Sequence, residues 1–268
     1  MANPFKKIED FEDEINDFLK RNKTFIANQG NRISDYFEMS CYNYIVRYYQ
    51  RQGFTLEVKN LIAKKFKYKL SPSGYPENFS FFEVRLRKSF EGEICFEIHH
   101  NLTVQSGHQN DIYLTPDISV INKETIVSDQ DHYLVANSTK KFCYVENSNL
   151  QTFFEVKNFN PFPELLFNFI GLYNELKIIL RYAEIHEAFP QHLAPSLMIS
   201  GKGNIHTEKI KESLEARYSV NLFYDLFEQG LRSFSRSNSA NLEHIGSLNP
   251  KVFETVYNYL VDEDDLPF

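Results

Sequence analysis

The sequence has no tryptophan, only three cysteines and no long apolar segment. Cys41, Cys95 and Cys143 lie far apart and form no CxxC pair, which excludes a disulfide framework and a zinc ribbon. A membrane-spanning helix needs about 18 consecutive apolar residues, and no such run is present. The first residues also lack the apolar stretch of a signal peptide. We therefore expect a cytoplasmic protein with reduced cysteines and no membrane segment.

Positive charge is also scarce. Lysine and arginine number 29 against 36 aspartate and glutamate residues, which gives a formal net charge of −7. Because non-specific affinity for duplex nucleic acid comes from neutralising phosphates, this balance excludes a histone-like binder. The length of 268 residues and the 42% of hydrophobic residues suit a globular protein. Since no linker-like segment interrupts the chain, we predict a single domain over residues 1–268.

Hydrophobic periodicity predicts an α/β layout. Helices are indicated where apolar residues recur every three or four positions, and strands where they alternate or cluster between turn signals. The polar segment 123–140 is predicted to be a loop. The predicted helices are 8–20, 34–50, 164–188, 207–217 and 250–260, and the predicted strands are 54–70 (mainly its second half), 79–87, 93–105, 111–122, 141–145, 150–159, 196–200 and 220–224. This order predicts a mixed central sheet flanked by helices.

Pro116-Asp117 in one predicted strand and Glu155-Val156-Lys157 in a later one form a candidate site. Because side chains alternate across a strand, Glu155 and Lys157 point to the same face. If the two strands are neighbours, two carboxylates and one ammonium converge. Asp117 and Glu155 then suit Mg²⁺, with Mn²⁺ as a substitute and the backbone carbonyl of Val156 as a further ligand. Such an ion polarises a phosphate and lowers the pKa of a bound water, which Lys157 would position or deprotonate.

The Glu-x-Lys pattern alone is a weak signal, because it recurs at residues 57–59 and 175–177. Residues 175–177 lie in a predicted helix, where positions i and i+2 point apart. Residues 57–59 have no Pro-Asp upstream. A second interpretation of Glu155 and Lys157, as a solvent-side ion pair on an edge strand, stays open.

A family resemblance rests on TPDISVI at 115–121, on TFFEVKNF at 152–159, and on the amphipathic helix that follows directly. With these elements the chain resembles the PD-(D/E)XK nuclease superfamily, which has the restriction-endonuclease-like fold. The resemblance implies an αβββαβ core over about residues 33–203. The helix at 8–20 and the extension at 204–268 would then be N- and C-terminal helical additions to that core.

The resemblance also implies a function, that of a metal-dependent endonuclease hydrolysing phosphodiester bonds of DNA, in restriction or anti-phage defence. It assigns metal binding and catalysis to Asp117 and Glu155, and catalysis to Lys157. Many members have a further acidic ligand on the first core helix, for which Glu38 is the best-placed candidate and Asp35 the next. The alternative is a catalytically inactive module of the same fold that binds nucleic acid or protein. RNA is a second candidate substrate.

Residues 57–88 contain eight cations and three anions, and aromatic residues are interleaved with the lysines. This composition is typical of a surface that follows a phosphate backbone. A lysine-decorated edge strand that resists aggregation is the alternative. The predicted nucleic-acid contacts are Lys64, Lys65, Lys67, Lys69 and Lys202.

The turn at 200–204, Ser-Gly-Lys-Gly-Asn, lacks the spacing of a P-loop, so we predict no nucleotide cofactor. A strong helix start is not expected after it. The extension at 204–268 is a candidate for forming a homodimer, for covering the cleft or for binding a regulator. His99, His100 and His108 are candidates for ligands or an auxiliary acid near the same sheet end, but we favour their interpretation as ordinary hairpin or surface residues.

Overall fold

The computed structural model describes residues 8–27, 32–88, 92–129, 140–176, 192–235, 238 and 241–245. Its helices are α1 (Ile8–Arg21), α2 (Ile33–Arg51), α3 (Pro163–Glu175), α4 (Ile205–Arg217) and α5 (Leu226–Ser233). Its strands are β1 (Thr55–Lys59), β2 (Phe81–Lys88), β3 (Gly92–His100), β4 (Val104–Gln105), β5 (Tyr113–Leu114), β6 (Ile118–Asn122), β7 (Ile126–Asp129), β8 (Phe142–Val145), β9 (Leu150–Lys157), β10 (His192–Leu193), β11 (Ser196–Ile199), β12 (Asn221–Phe223) and β13 (His244–Ile245). Within these ranges, no helix combines the length and the apolar character needed to cross a bilayer.

A seven-stranded mixed sheet forms the centre of the described residues, in the order β1-β2-β3-β6-β9-β11-β12. From β1 to β9 each strand is antiparallel to the one before it, whereas β9, β11 and β12 are parallel. Strand β9 therefore lies where the antiparallel half meets the parallel half. The α/β class with a mixed, helix-flanked central sheet is confirmed.

Two apolar cores lie on the two faces of this sheet. Strand β9 contributes to both, because its side chains alternate: Phe154 and Val156 pack in the core that α1 and α2 cover, and Phe153 packs in the core that α3 and α4 cover. Helix α2 is buried on most of its surface. The strand is thereby held rigidly by packing on both faces.

A second, four-stranded sheet has the order β5-β4-β8-β7. It contains β7, so the prediction of a loop throughout 123–140 is wrong for residues 126–129. Those residues pair antiparallel with β8, and Ile126 packs against the core that contains its partner Val145. Residues 130–139 lie outside the described residues.

Most predicted elements are confirmed within one to three residues at their ends, but three expectations need correction. The second half of 54–70 is not a strand: β1 occupies residues 55–59, and only isolated bridges follow it, where Ala63 and Lys64 have positive φ. The predicted strands 93–105 and 111–122 each break into two. Helix α4 does have a strong start, because the side chain of Asn204 accepts hydrogen bonds from the N–H groups of His206 and Thr207.

Two predicted helical segments, residues 177–188 and 250–260, lie outside the described residues.

Candidate active site

The register of β6 and β9 brings the predicted site together. Ile118, the first residue of β6, pairs with Phe154 of the antiparallel β9. The residue before Ile118 is therefore opposite the residue after Phe154, so Asp117 lies beside Glu155. Pro116 stands just before the strand begins, where its missing N–H breaks no sheet hydrogen bond.

Lys157 joins the two carboxylates. Its Nζ lies 2.9 Å from Asp117 Oδ2 and 2.7 Å from Glu155 Oε2. The backbone N–H of Val156 also donates to Asp117 Oδ2, at 2.7 Å. The carboxylate side chains are 16% and 13% exposed and the lysine side chain 30%, so the group lies in a partly open position at the strand ends. This burial argues against a simple solvent-side ion pair.

Burial and mutual repulsion perturb the carboxyl groups. Loss of solvent raises the pKa of Glu155 to about 7, and the charge of Asp117 adds to this increase while Lys157 opposes it. Burial also raises the pKa of Asp117, with Lys157 opposing and Glu38 contributing in the same direction as burial. For Lys157, burial acts to lower the pKa, but the two carboxylates outweigh it, and the pKa is raised. The site thus holds more negative charge than its lysine compensates.

Glu38 lies on α2 near this group, close enough for its charge to raise the pKa of Asp117. Its Oε1 accepts a hydrogen bond from Asn101 Nδ2 at 2.6 Å and lies 3.0 Å from His100 Nε2, the latter without hydrogen-bond geometry. Asn101 has a positive φ of 49° and also donates from its backbone N–H to the carbonyl oxygen of Asp117. Asp35, the other acidic candidate, is bound to Arg32 at the start of α2.

The carboxylate oxygens of the site are of the ligand type that a hard divalent cation prefers. Among the described residues, no cluster of three or more His, Cys, Asp or Glu side chains is placed to hold a metal ion. Mg²⁺ does not require one, because it keeps several waters and is commonly bound by one or two carboxylates together with substrate phosphate. The chain offers Asp117 and Glu155, and Lys157 already places a cationic group between them.

The end of β9 is fixed by the turn after β11. Ile199 pairs with Lys157 in the parallel ladder, and Ser200 N donates to the carbonyl oxygen of Lys157 at 3.1 Å. A Cβ atom on Gly201 would lie 2.7 Å from the carbonyl oxygen of Phe159 and closer still to the side chain of Asn160. Only glycine allows this approach, so the turn helps to set the position of Lys157.

The predicted nucleic-acid contacts do not form one surface. Lys64 and Lys65 are exposed, and Lys67 is half-buried with its Nζ 4.9 Å from the centre of the Phe79 ring. Lys69 contradicts the expectation of a surface residue, because it is 4% exposed and donates to the carbonyl oxygen of Asn101 at 2.5 Å. Lys202 is exposed, and its Nζ lies 3.7 Å from Asp225.

Two other cations of residues 57–88, Lys59 and Arg85, are paired with carboxylates. Lys59 contacts Glu57 at 2.6 Å and Glu83 at 3.7 Å, and Arg85 contacts the same two acids. The competing Glu57-Val-Lys59 tripeptide is therefore part of a surface ion-pair network on β1 and β2. This local pairing removes part of the excess positive charge that the sequence indicates.

Sequence reasoning missed the roles of Asn101 and His100, which contact Glu38 from the end of β3. The consecutive histidines were visible, but no spacing pattern links them to a residue on α2.

Comparisons of the chain with family models, with curated proteins and with solved structures found no match.

Proposed function

We propose that the protein is a metal-dependent endonuclease that hydrolyses phosphodiester bonds of DNA. The supporting observation is the position of Lys157 Nζ, within 3 Å of carboxylate oxygens from both Asp117 and Glu155 at the paired ends of β6 and β9. The resemblance of these segments to the PD-(D/E)XK nuclease superfamily agrees with this assignment.

Charge explains why such a site needs a cation before it meets phosphate. With both carboxyl groups ionised, the three side chains have one net negative charge, which repels a phosphodiester. Binding of a divalent ion by Asp117, Glu155 and the carbonyl oxygen of Val156 reverses that sign. Mg²⁺ held there supplies Lewis-acid polarisation of the phosphate and a water of lowered pKa.

Lys157 is best suited to act as a donor. Because the carboxylates raise its pKa, its Nζ is an ammonium in the metal-free protein. An ammonium directed at the phosphate stabilises negative charge that develops on the phosphate oxygens in the transition state. Asp117, held by the N–H of Val156, keeps its place on the strand independently of the lysine.

The test is a cleavage assay of purified protein on circular, linear and single-stranded DNA and on RNA, in EDTA, Mg²⁺ or Mn²⁺. We expect metal-dependent cutting of circular DNA, and its loss in Asp117→Asn, Glu155→Gln and Lys157→Met. Matched controls are Glu57→Gln and Lys59→Met, which change the same tripeptide on β1 and should cut like the wild type. Circular dichroism verifies that each variant is folded.

Two results would contradict the proposal. One is the absence of cleavage on every substrate with either metal, which would favour a catalytically inactive binding module. The other is full activity in all three site variants, which would assign cleavage to other residues or to a contaminant.

A further inference from the structure

A pocket of about 670 Å³ lies between the turn after Lys69 and strand β8. The described residues that line it include three lysines, Lys69, Lys140 and Lys141, and no carboxylate. Its volume falls in the usual range for small-molecule sites. A pocket with this charge is suited to an anion.

Lys69 is the unusual member of this lining. It is 4% exposed, and its Nζ donates to the carbonyl oxygen of Asn101; among the described residues, no carboxylate lies within ion-pair distance. Burial lowers the pKa of Lys69 to about 8, against a smaller opposing effect of Cys143. A buried ammonium without a counterion is unfavourable, and an anion entering the pocket would offset that cost.

The lining of the pocket also includes a second lysine and an aromatic ring. Lys141 Nζ is bonded to Glu77 and lies 4.9 Å from the centre of the Tyr75 ring. Lys69, Lys141 and Tyr75 all line the same space, so an anion bound there would compete with Glu77 for Lys141. Phosphate attached to a nucleoside combines the negative charge and the flat surface that such a lining recognises.

The pocket is directly connected to the candidate active site. Lys69 Nζ bonds the carbonyl oxygen of Asn101, and the N–H of the same Asn101 donates to the carbonyl oxygen of Asp117 at 2.8 Å. Thr103, in the pocket wall, has its Oγ1 3.2 Å from that of Thr115, two residues before Asp117. Two consecutive hydrogen bonds through Asn101 thus link the pocket to Asp117, which supports one nucleic-acid strand contacting both.

We propose that this pocket binds the phosphate group of a nucleotide through Lys69 and Lys141, and that in the working enzyme this phosphate belongs to the strand being cut. The second part rests on the proposed function, whereas phosphate binding itself does not.

The experiment measures binding in EDTA, so that no cleavage is needed. The probes are a short fluorescein-labelled DNA duplex, followed by fluorescence anisotropy across a KCl series, and AMP and inorganic phosphate, followed by thermal shift. Lys69→Met and Lys141→Gln are compared with Lys209→Gln, which removes one charge from the exposed face of α4. We expect Lys69→Met to weaken duplex binding about tenfold. The negative slope of log K against log[KCl] should also become shallower by about 0.9, the value for one lost phosphate contact.

The outcomes separate the two sources of phosphate. If the variants lose affinity for the duplex alone, the pocket binds a phosphate of the DNA strand. If they also lose affinity for AMP, a free nucleotide enters the pocket as well. Both results support phosphate binding. Unchanged binding of all three probes by both pocket variants would overturn it. If Lys69→Met fails to fold, Lys141→Gln decides. Altered binding with no cleavage under any condition would retain the pocket and refute the nuclease.

Discussion

Replacing Glu155 by glutamine should stabilise the metal-free protein above neutral pH. The pKa of Glu155 is about 7 in the folded chain and 4.5 as the reference value. The folded state therefore binds this proton more tightly, and stability falls as the pH rises from about 4.5 to about 7. At about 1.36 kcal/mol per pKa unit, the full cost is on the order of 3 kcal/mol. Glutamine keeps the shape and an acceptor for Lys157 but has no charge.

The assay is urea unfolding in EDTA, followed by circular dichroism, at several pH values. We expect the free energy of unfolding of Glu155→Gln to be about 3 kcal/mol higher than that of the wild type at about pH 8. The difference should disappear near pH 4. Glu212→Gln, on the exposed face of α4, is the control and should change little at any pH. A Glu155→Gln protein less stable than the wild type at pH 8 would contradict this prediction, because it would show that attraction to Lys157 outweighs burial and repulsion.

Three further changes test the framework around the site, each by urea unfolding. Gly201→Ala should lower the free energy of unfolding by about 1–3 kcal/mol, because its methyl group meets the backbone at Phe159. Phe153→Ala should lower it by about 3–5 kcal/mol, because a fully buried ring leaves a cavity beneath β9. Lys69 has a pKa of about 8 in the folded chain against 10.5 as the reference, so wild-type stability should gain a contribution between these pH values that Lys69→Met lacks.

Each of these has a matched control in the chain. A Cβ on Gly171 of α3 meets nothing within 4 Å, so Gly171→Ala should stabilise by about 0.5–1 kcal/mol. Phe167, on the same helix, is 53% exposed, and Phe167→Ala should cost far less than Phe153→Ala. Lys209→Gln should keep the alkaline rise in stability. If a variant and its control change the stability equally, the packing or burial described for Gly201, Phe153 or Lys69 would be contradicted.

The local part of the site could be predicted from the sequence. The period of two along a strand is enough to place Glu155 and Lys157 on one face, and apolar neighbours such as Phe153 indicate a strand with a buried interior. The pairing of β6 with β9 is a non-local event, and the resemblance to a family, rather than periodicity, led to the expectation of it. The structure then supplied the register that puts Asp117 opposite Glu155.

Lys69 shows why the rest was not predictable. The alternation of lysine with Phe66 and Tyr68 indicates a strand with its lysines in solvent, and both aromatic residues are indeed buried. However, residues 67–70 are not part of a strand, so the alternation does not fix the direction of Lys69. Its position depends on a carbonyl oxygen of Asn101, more than thirty residues away, which no local pattern indicates.

The pairing of β6 with β9 also has a consequence for how the protein folds. Asp117 directly precedes β6 and Glu155 lies on β9, and β7 and β8 lie between these two strands in the sequence. Bringing the ends of this segment together costs conformational entropy before the strand contacts can offset it. This pairing therefore belongs to the slow, non-local class of folding events. A nascent chain that has formed its hairpin of β2 and β3 but not this ladder presents no acidic pair to a cation. The proposed metal site would therefore be completed only when this ladder forms.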